Sequence, residues 1–146
     1  MTEKTFTFAS GAGSQISGHL EPPEGTPRGW AIFAHCFTCG KDSRAAVYIS
    51  RALSRAGIGV LRFDFAGTGI DGGSGESLSF ASDIDDLRAA AKAMAAAGMA
   101  PSLLVGHSLG GIAVIVAAEE LPDVAAVVTI GAPADLQHIL RFFTPR

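Results

Sequence analysis

Cysteine is scarce in this chain, which contains only Cys36 and Cys39. Two cysteines cannot form the disulfide framework of a small secreted domain, and they supply only half of a four-ligand zinc site. Their CFTC spacing leaves a redox pair open as an alternative. Thioredoxin-like C-x-x-C motifs begin a helix, however, whereas this one precedes Gly40 in a loop. We therefore expect two loop thiols and no metal site.

Charged residues are also few, at 17% of the chain, and the formal net charge is -3. Lysine and arginine are scattered singly, which excludes the basic stripe of a nucleic-acid-binding protein. No run reaches the roughly 18 apolar residues that a transmembrane helix needs. The N-terminal sequence MTEKTFTF lacks the basic and then apolar order of a signal peptide. We expect a cytoplasmic protein with no nucleic-acid or membrane partner.

The chain is rich in apolar residues, which make up 48% of its 146 positions. This length fits one domain, residues 1–146, with a real core. Alternating residues predict an N-terminal antiparallel hairpin, and short apolar runs separated by amphipathic segments predict parallel strands alternating with helices. The hairpin covers 4–8 and 14–20; the later strands are 30–34, 59–63, 102–105 and 124–130; the helices are 45–56, 83–97 and 109–120, with a helical start at 135–143. We predict an α/β fold with a mostly parallel sheet covered by helices on both faces.

The sequence LLVGHSLGGIAV, residues 103–114, interrupts a predicted strand and helix with glycines around Ser108. A turn this short forces a strained backbone at the serine and lifts its hydroxyl above the carboxyl edge of the sheet. Gly106 and Gly110 would let neighbouring backbone pass without a side-chain collision. The pattern predicts Ser108 as an acyl-transfer nucleophile. The alternative is a serine that caps the helix.

A serine nucleophile of this kind needs backbone amides to hold the negative oxygen of its tetrahedral intermediate. The amide of Leu109 starts the following helix, where the helix dipole favours negative charge. The second amide should come from the loop after the adjacent strand, AHCFTCGKD, and Phe37 is our candidate there. His35 in the same loop is interpreted mainly as a residue that braces it.

Four sequences, FAHCFTCGKD, VLRFDFAGTG, GHSLGG and TIGAPAD, together resemble the α/β-hydrolase superfamily. More closely, they are similar to the N-terminal hydrolase part of bacterial proteins in which such a domain is fused to an OsmC-like domain. The resemblance implies an esterase-like serine hydrolase without a cofactor. Family members carry the catalytic acid and histidine after later strands, so the resemblance implies a domain truncated after its sixth strand.

The base that activates Ser108 has to be one of four histidines. His19 lies in the hairpin, and the ring of His107 should point away from the neighbouring serine. His138 follows the last predicted strand and comes three residues after Asp135. Asp135 occupies the region where some α/β-hydrolases carry their acid. We predict His138 as base and Asp135 as acid, the alternative being a surface turn capped by Asp135.

Three further interpretations compete or combine with this one. Gly67, Gly69 and Gly72 satisfy the G-x-G-x-x-G dinucleotide pattern, but no helix follows them directly. A hydrolase-like fragment without a complete triad would be non-catalytic and act as a folding or association module. The last strand, VAAVVTI, lacks its usual neighbour and predicts a homodimer by edge pairing. Our leading prediction is hydrolysis of small, short-acyl esters through an acyl-enzyme on Ser108.

Overall fold

The computed structural model describes residues 4–35, 40–66 and 80–135, and it shows the predicted α/β fold. Six strands and three helices follow one another in the described chain. They are β1 Lys4–Ala9, β2 Gln15–Glu21, β3 Gly29–Ala34, α1 Arg44–Arg55, β4 Ile58–Arg62, α2 Phe80–Ala96, β5 Leu103–His107, α3 Leu109–Ala118 and β6 Ala126–Ile130.

These strands form one mixed sheet in the order β1-β2-β4-β3-β5-β6. The hairpin β1 and β2 is antiparallel and joins the sheet through an antiparallel pairing of β2 with β4. The other pairs, β3 with β4, β3 with β5 and β5 with β6, are parallel. The carboxyl ends of β3, β4 and β5 therefore lie at one edge of the sheet, where ligands bind in open α/β folds.

The element boundaries confirm most of the sequence prediction and correct part of it. Ser43 caps α1, its Oγ accepting a hydrogen bond from the Ala46 amide at 3.3 Å. The prediction that α2 begins after Ser82 is wrong. Phe80 packs against the core and already belongs to the helix, so Ser82 lies within its first turn. Strand β5 runs to His107, two residues further than predicted, and so ends directly at Ser108.

The central strands are buried on both faces, as their apolar sequences predict. The larger core cluster lies between the sheet, α2 and α3, and a smaller one lies between the sheet and α1. Strand β6 differs, because all five of its residues are exposed. The prediction that this strand would be covered like the others is wrong for the part of the chain that the structure describes. No described helix has both the length and the apolar character needed to cross a membrane.

Two acidic residues of α2 are buried close to the carboxyl edge of the sheet. Asp83 is 3% exposed and Asp86 is 2% exposed. Asp86 accepts a hydrogen bond from the amide of Ala66, which follows β4. No described residue donates to Oδ1 of Asp83. Burial, together with the negative charge of Asp86, raises the pKa of Asp83 to about 7.

The raised pKa of Asp83 predicts that this residue destabilises the folded protein at alkaline pH. The folded protein binds this proton up to about pH 7, whereas an unfolded chain releases it near pH 4, so its contribution to stability falls between those values. We expect Asp83→Asn to raise the free energy of unfolding by on the order of 1–3 kcal/mol at pH 8 and much less at pH 4. Urea unfolding at both pH values measures this, with the exposed neighbour variant Asp85→Asn as control. An equal effect of Asp83→Asn at both pH values would contradict the assignment.

Candidate active site

Ser108 is the single residue between β5 and α3, and its backbone is strained. Its φ of 57° and ψ of -122° lie in a region that L-residues rarely adopt. Among the described residues it is the only non-glycine with positive φ. Its side chain makes no capping hydrogen bond to the helix. The strained strand-to-helix turn predicted from the sequence is confirmed. Ser108 does occupy the N-cap position of α3, as the alternative has it, but its side chain does not cap the helix.

Two glycines allow this turn because backbone passes directly over them. A Cβ on Gly106 would collide with the carbonyl of Gly110 and would lie 2.5 Å from the Cα of Gly111. A Cβ on Gly110 would collide with the carbonyl of Ala34 and lie 2.7 Å from that of His35. The predicted role of Gly106 and Gly110 is therefore confirmed. The start of α3 is thereby pressed against the end of β3.

A third glycine, Gly111, was not predicted to matter, and it packs the turn against β6 and the residues that follow it. A Cβ on Gly111 would lie 2.7 Å from the Cβ of Ala132 and 3.2 Å from that of Thr129. The Ser108 amide donates a hydrogen bond to the carbonyl of Ile130 at 2.8 Å. The last glycine of GHSLGG was the available signal. Ser108 is thus held between the ends of β3 and β6.

The first predicted oxyanion donor, Leu109, is the first residue of α3. Amides in the first turn of a helix have no partner within the helix and point beyond its end, towards developing negative charge. The second predicted donor, Phe37, lies outside the described residues, as do Cys36 and Cys39. His35, two residues before Phe37, is described. It directly follows β3 and lies beside the backbone of Gly110.

His35 is part of a buried polar cluster rather than an exposed base. The residue is 2% exposed, and its ring lies 5.1 Å from the ring of Phe65. Its Nε2 is 3.6 Å from Oδ1 of Asp64. The same carboxylate oxygen accepts a hydrogen bond from the Lys41 amide at 2.8 Å. These contacts hold His35 beside the residues that follow β4, and its role in bracing its loop stays a prediction.

Arg62 adds a buried positive charge to this cluster, and the sequence analysis counted its strand as apolar. The residue is 2% exposed, and its Nε donates to the carbonyl of Lys41 at 2.8 Å. Its NH1 donates to Glu21 at 3.2 Å. Burial alone would lower the pKa of Lys41, but Asp42 and Asp64 raise it above its ordinary value. The isolated arginine in VLRF was the available signal, since a charge inside a central strand needs buried partners.

The predicted base and acid are only partly described. Asp135 is exposed and lies five residues after the end of β6, whereas His138 lies outside the described residues. His19 lies in β2, which β4 and β3 separate from β5, so its elimination as a base is supported. Gly67, Gly69 and Gly72 of the dinucleotide alternative also lie outside the described residues. The roles of His138 and Asp135 stay predictions.

Comparison with known proteins agrees with this geometry. Residues 25–145 match the family model described as serine aminopeptidase, S33. The chain belongs to this family. Among curated proteins there is no significant match.

Solved structures related to this S33-family chain are α/β-type hydrolases. The chain is 45% identical to the esterase domain of a Rhodothermus marinus protein, with a TM-score of 0.77, covering 96% of this chain and 54% of that one. It is 26% identical to an α/β serine hydrolase without a lid from Xanthomonas campestris, with a TM-score of 0.79, covering 93% of this chain and 64% of that one. A dienelactone hydrolase from Anabaena variabilis is 25% identical, with a TM-score of 0.76, and the match covers 90% of this chain and 63% of that one. The chain therefore spans about half to two thirds of the length of these relatives.

The strain at Ser108 predicts that a glycine there stabilises the S33-family fold. Glycine adopts positive φ without the steric penalty that any L-residue meets. We expect Ser108→Gly to exceed Ser108→Ala in free energy of unfolding by about 1–2 kcal/mol, measured by urea denaturation. Ser108→Ala is the control, because it removes the hydroxyl and keeps the strain. Equal stability of the two variants would contradict a strained serine.

Proposed function

We propose that this protein hydrolyses small, short-acyl esters through an acyl-enzyme on Ser108. The observation that carries the proposal is the strained backbone of Ser108, whose side chain does not cap the helix that follows it. Strain of this kind persists only where the surrounding structure enforces it, and it concentrates at functional sites. Here the close backbone contacts of Gly106 and Gly110 enforce it. A serine on such a strand-to-helix turn matches the nucleophile elbow of α/β-hydrolases.

The proposed reaction has two halves. Ser108 Oγ forms a bond to the ester carbonyl carbon while His138 takes its proton and Asp135 orients that histidine. The amides of Leu109 and Phe37 hold the resulting oxyanion. The carbon–oxygen bond to the leaving group then breaks, and the proton passes to the alcohol. Water repeats the sequence on the acyl-enzyme, which releases the acid and restores Ser108. No step requires a metal or a cofactor.

The substrate class is supported by the relatives whose structures are known. The 45% identical relative is an esterase domain, which favours an ester over the peptide implied by the family description. The Xanthomonas relative is a hydrolase without a lid, and an open site of that kind suits a short acyl group. The closer similarity to hydrolase and OsmC-like fusion proteins, and a cytoplasmic location, stay predictions.

An activated Ser108 should react covalently with a fluorophosphonate probe. We expect intact-mass analysis to show a single adduct on the wild-type protein and none on Ser108→Ala, because only an assisted hydroxyl attacks the phosphorus. His138→Ala should slow the labelling by about 10²-fold or more if His138 is the base. Wild-type protein without an adduct would contradict the proposed function, and an adduct retained in Ser108→Ala would assign it to another residue.

Strand β6 favours a second candidate function, an association module that pairs with a second copy of this chain. Val127, Val128 and Ile130 are between 36% and 44% exposed. Ala126–Ile130 carries no charge or proline that would block edge pairing. The opposite edge strand, β1, by contrast starts with Lys4. An antiparallel two-fold pairing of β6 with itself would join two sheets into one.

Edge pairing through β6 predicts a dimer that a single charge disrupts. We expect the wild-type protein to sediment as a dimer at micromolar concentration and Val128→Lys to sediment as a monomer. Thr5→Lys, on the opposite edge strand, is the matched control and should leave the dimer intact. A wild-type monomer would rule out this candidate and leave the enzymatic proposal unaffected.

A further inference from the structure

We propose that the buried carboxyl groups of Asp83 and Asp86 form a pH-sensitive switch, which holds the start of α2 against the hairpin turn in acid and lets it open as the pH rises. The two residues lie three positions apart on one face of α2, and both are almost fully buried. They differ in their hydrogen bonds. The switch does not depend on the proposed function, because none of its contacts involves Ser108.

Asp86 fastens α2 to two other parts of the chain. Its Oδ2 accepts a hydrogen bond from the Ala66 amide, beyond the end of β4, at 3.0 Å. The amide of Gly11, in the turn between β1 and β2, donates to the same carboxylate. A Cβ on Gly11 would lie 2.9 Å from the Cβ of Asp85, so this turn packs closely on the helix. Burial raises the pKa of Asp86, and the two amides oppose this by stabilising the ionised form.

Asp83 has no comparable partner. Its side chain is buried, and Oδ1 accepts no hydrogen bond from the part of the chain that the structure describes. Burial and the charge of Asp86 raise the pKa of its carboxyl group to about 7. Above that pH the closed arrangement holds a second buried negative charge beside the first. An unpaired buried carboxylate is costly, because nothing replaces the water that it has lost.

The elements that pack against α2 supply no positive charge to offset this pair. Within their described residues, α3 and β3 carry no charged side chain at all. β1 contributes only Lys4, at the end of the strand far from the hairpin turn. Arg62 of the neighbouring β4 is paired with Glu21. The charge on Asp86 therefore acts on Asp83 without compensation from these elements.

The basic residues of α2 itself do not neutralise the pair either. Arg88 lies 3.9 Å from the exposed carboxylate of Asp85 and 3.3 Å from that of Glu120. Lys92 lies more than two turns beyond Asp83 along the helix. Asp85 adds a further negative charge, which raises the pKa of Asp86. Separation from the hairpin turn, which admits water, is the remaining way to stabilise an ionised Asp83.

This separation is favoured over a defined pH range. In the open arrangement water surrounds Asp83, and its pKa returns to about 4. The closed arrangement binds the proton up to about pH 7. Closure is therefore fully favoured below about pH 4, weakens by up to about tenfold per pH unit, and changes no further above about pH 7. The helix need not unwind, because a solvated carboxylate in its first turn suits the helix dipole.

The first measurement is hydrogen exchange of individual amides by NMR, expressed as protection factors at a series of pH values. We expect the protection of the Gly11 and Ala66 amides to fall about 10- to 100-fold between about pH 5 and about pH 7 and then to level off. Low concentrations of urea should leave these two amides unchanged and expose Ile32 of the central strand β3, because local opening uncovers little surface. Protection that does not vary with pH, or that falls only in step with Ile32, would overturn the proposal.

The same measurement on Asp83→Asn removes the titrating group and keeps its shape. We expect protection at Gly11 and Ala66 to become independent of pH and to stay at the level of the wild-type protein in acid. Asp85→Asn is the matched control, because Asp85 is an exposed carboxylate on the same helix, and it should follow the wild-type profile. A pH-dependent loss that persists in Asp83→Asn, or one that disappears in Asp85→Asn, would speak against the switch.

A second measurement needs no variant and follows the Asp83 carboxyl carbon by NMR in the wild-type protein. We expect its chemical shift to titrate with a midpoint near pH 7, because the closed arrangement retains the proton. A midpoint near 4, the ordinary value of an aspartate, would overturn the proposal whatever the variants show.

Discussion

The structure depends on one backbone contact, the approach of the first turn of α3 to the ends of β5 and β3. Gly106 passes under Gly110 and Gly111, and Gly110 lies on the carbonyls of Ala34 and His35. No side chain fits between them, so the helix must start immediately after the strand, with Ser108 at φ 57°. The strain at the serine is a consequence of this packing. The buried apolar contacts of α3 and β5 maintain it, because relaxing the turn would expose them to water.

Buried charge is concentrated at the same edge of the sheet. The centre of the sheet is apolar, whereas the buried Arg62 ends β4, and the buried Asp86 of α2 accepts a hydrogen bond from the amide of Ala66, which follows β4. Burying Arg62 costs free energy that only several partners can offset, and Glu21 and the Lys41 carbonyl are among them. A protein selected for stability alone would gain little from this arrangement. It does hold the backbone of Lys41 and Ala66 through hydrogen bonds to Asp64, Arg62 and Asp86.

The sequence predicted those features for which a residue pattern is compatible with only one local structure. Alternating apolar and amphipathic segments predicted the fold class, and glycines around a serine between a strand and a helix predicted the strained turn. The buried polar cluster was not predictable in the same way. Arg62 interrupts a strand whose other residues are apolar, and its partners Glu21 and Lys41 come from separate parts of the chain. The start of α2 was misjudged because a strong capping pattern at Ser82 competed with the burial of Phe80, and tertiary packing decided it.

The two supports of Ser108 differ in their own stability. β3 lies in the middle of the sheet and is almost fully buried, whereas β6 is exposed along its whole length. Yet the Ser108 amide bonds to Ile130, and Gly111 packs against Thr129 and Ala132. Exposed elements open more readily than buried ones, so the rigidity of the turn at Ser108 is limited by its contacts with β6. A chain that binds β6 in the folded protein, and does not bind the unfolded chain, would therefore also stabilise the turn at Ser108. The proposed association at the edge and the proposed reactivity of Ser108 would thus be coupled through the Ser108–Ile130 hydrogen bond and the packing of Gly111.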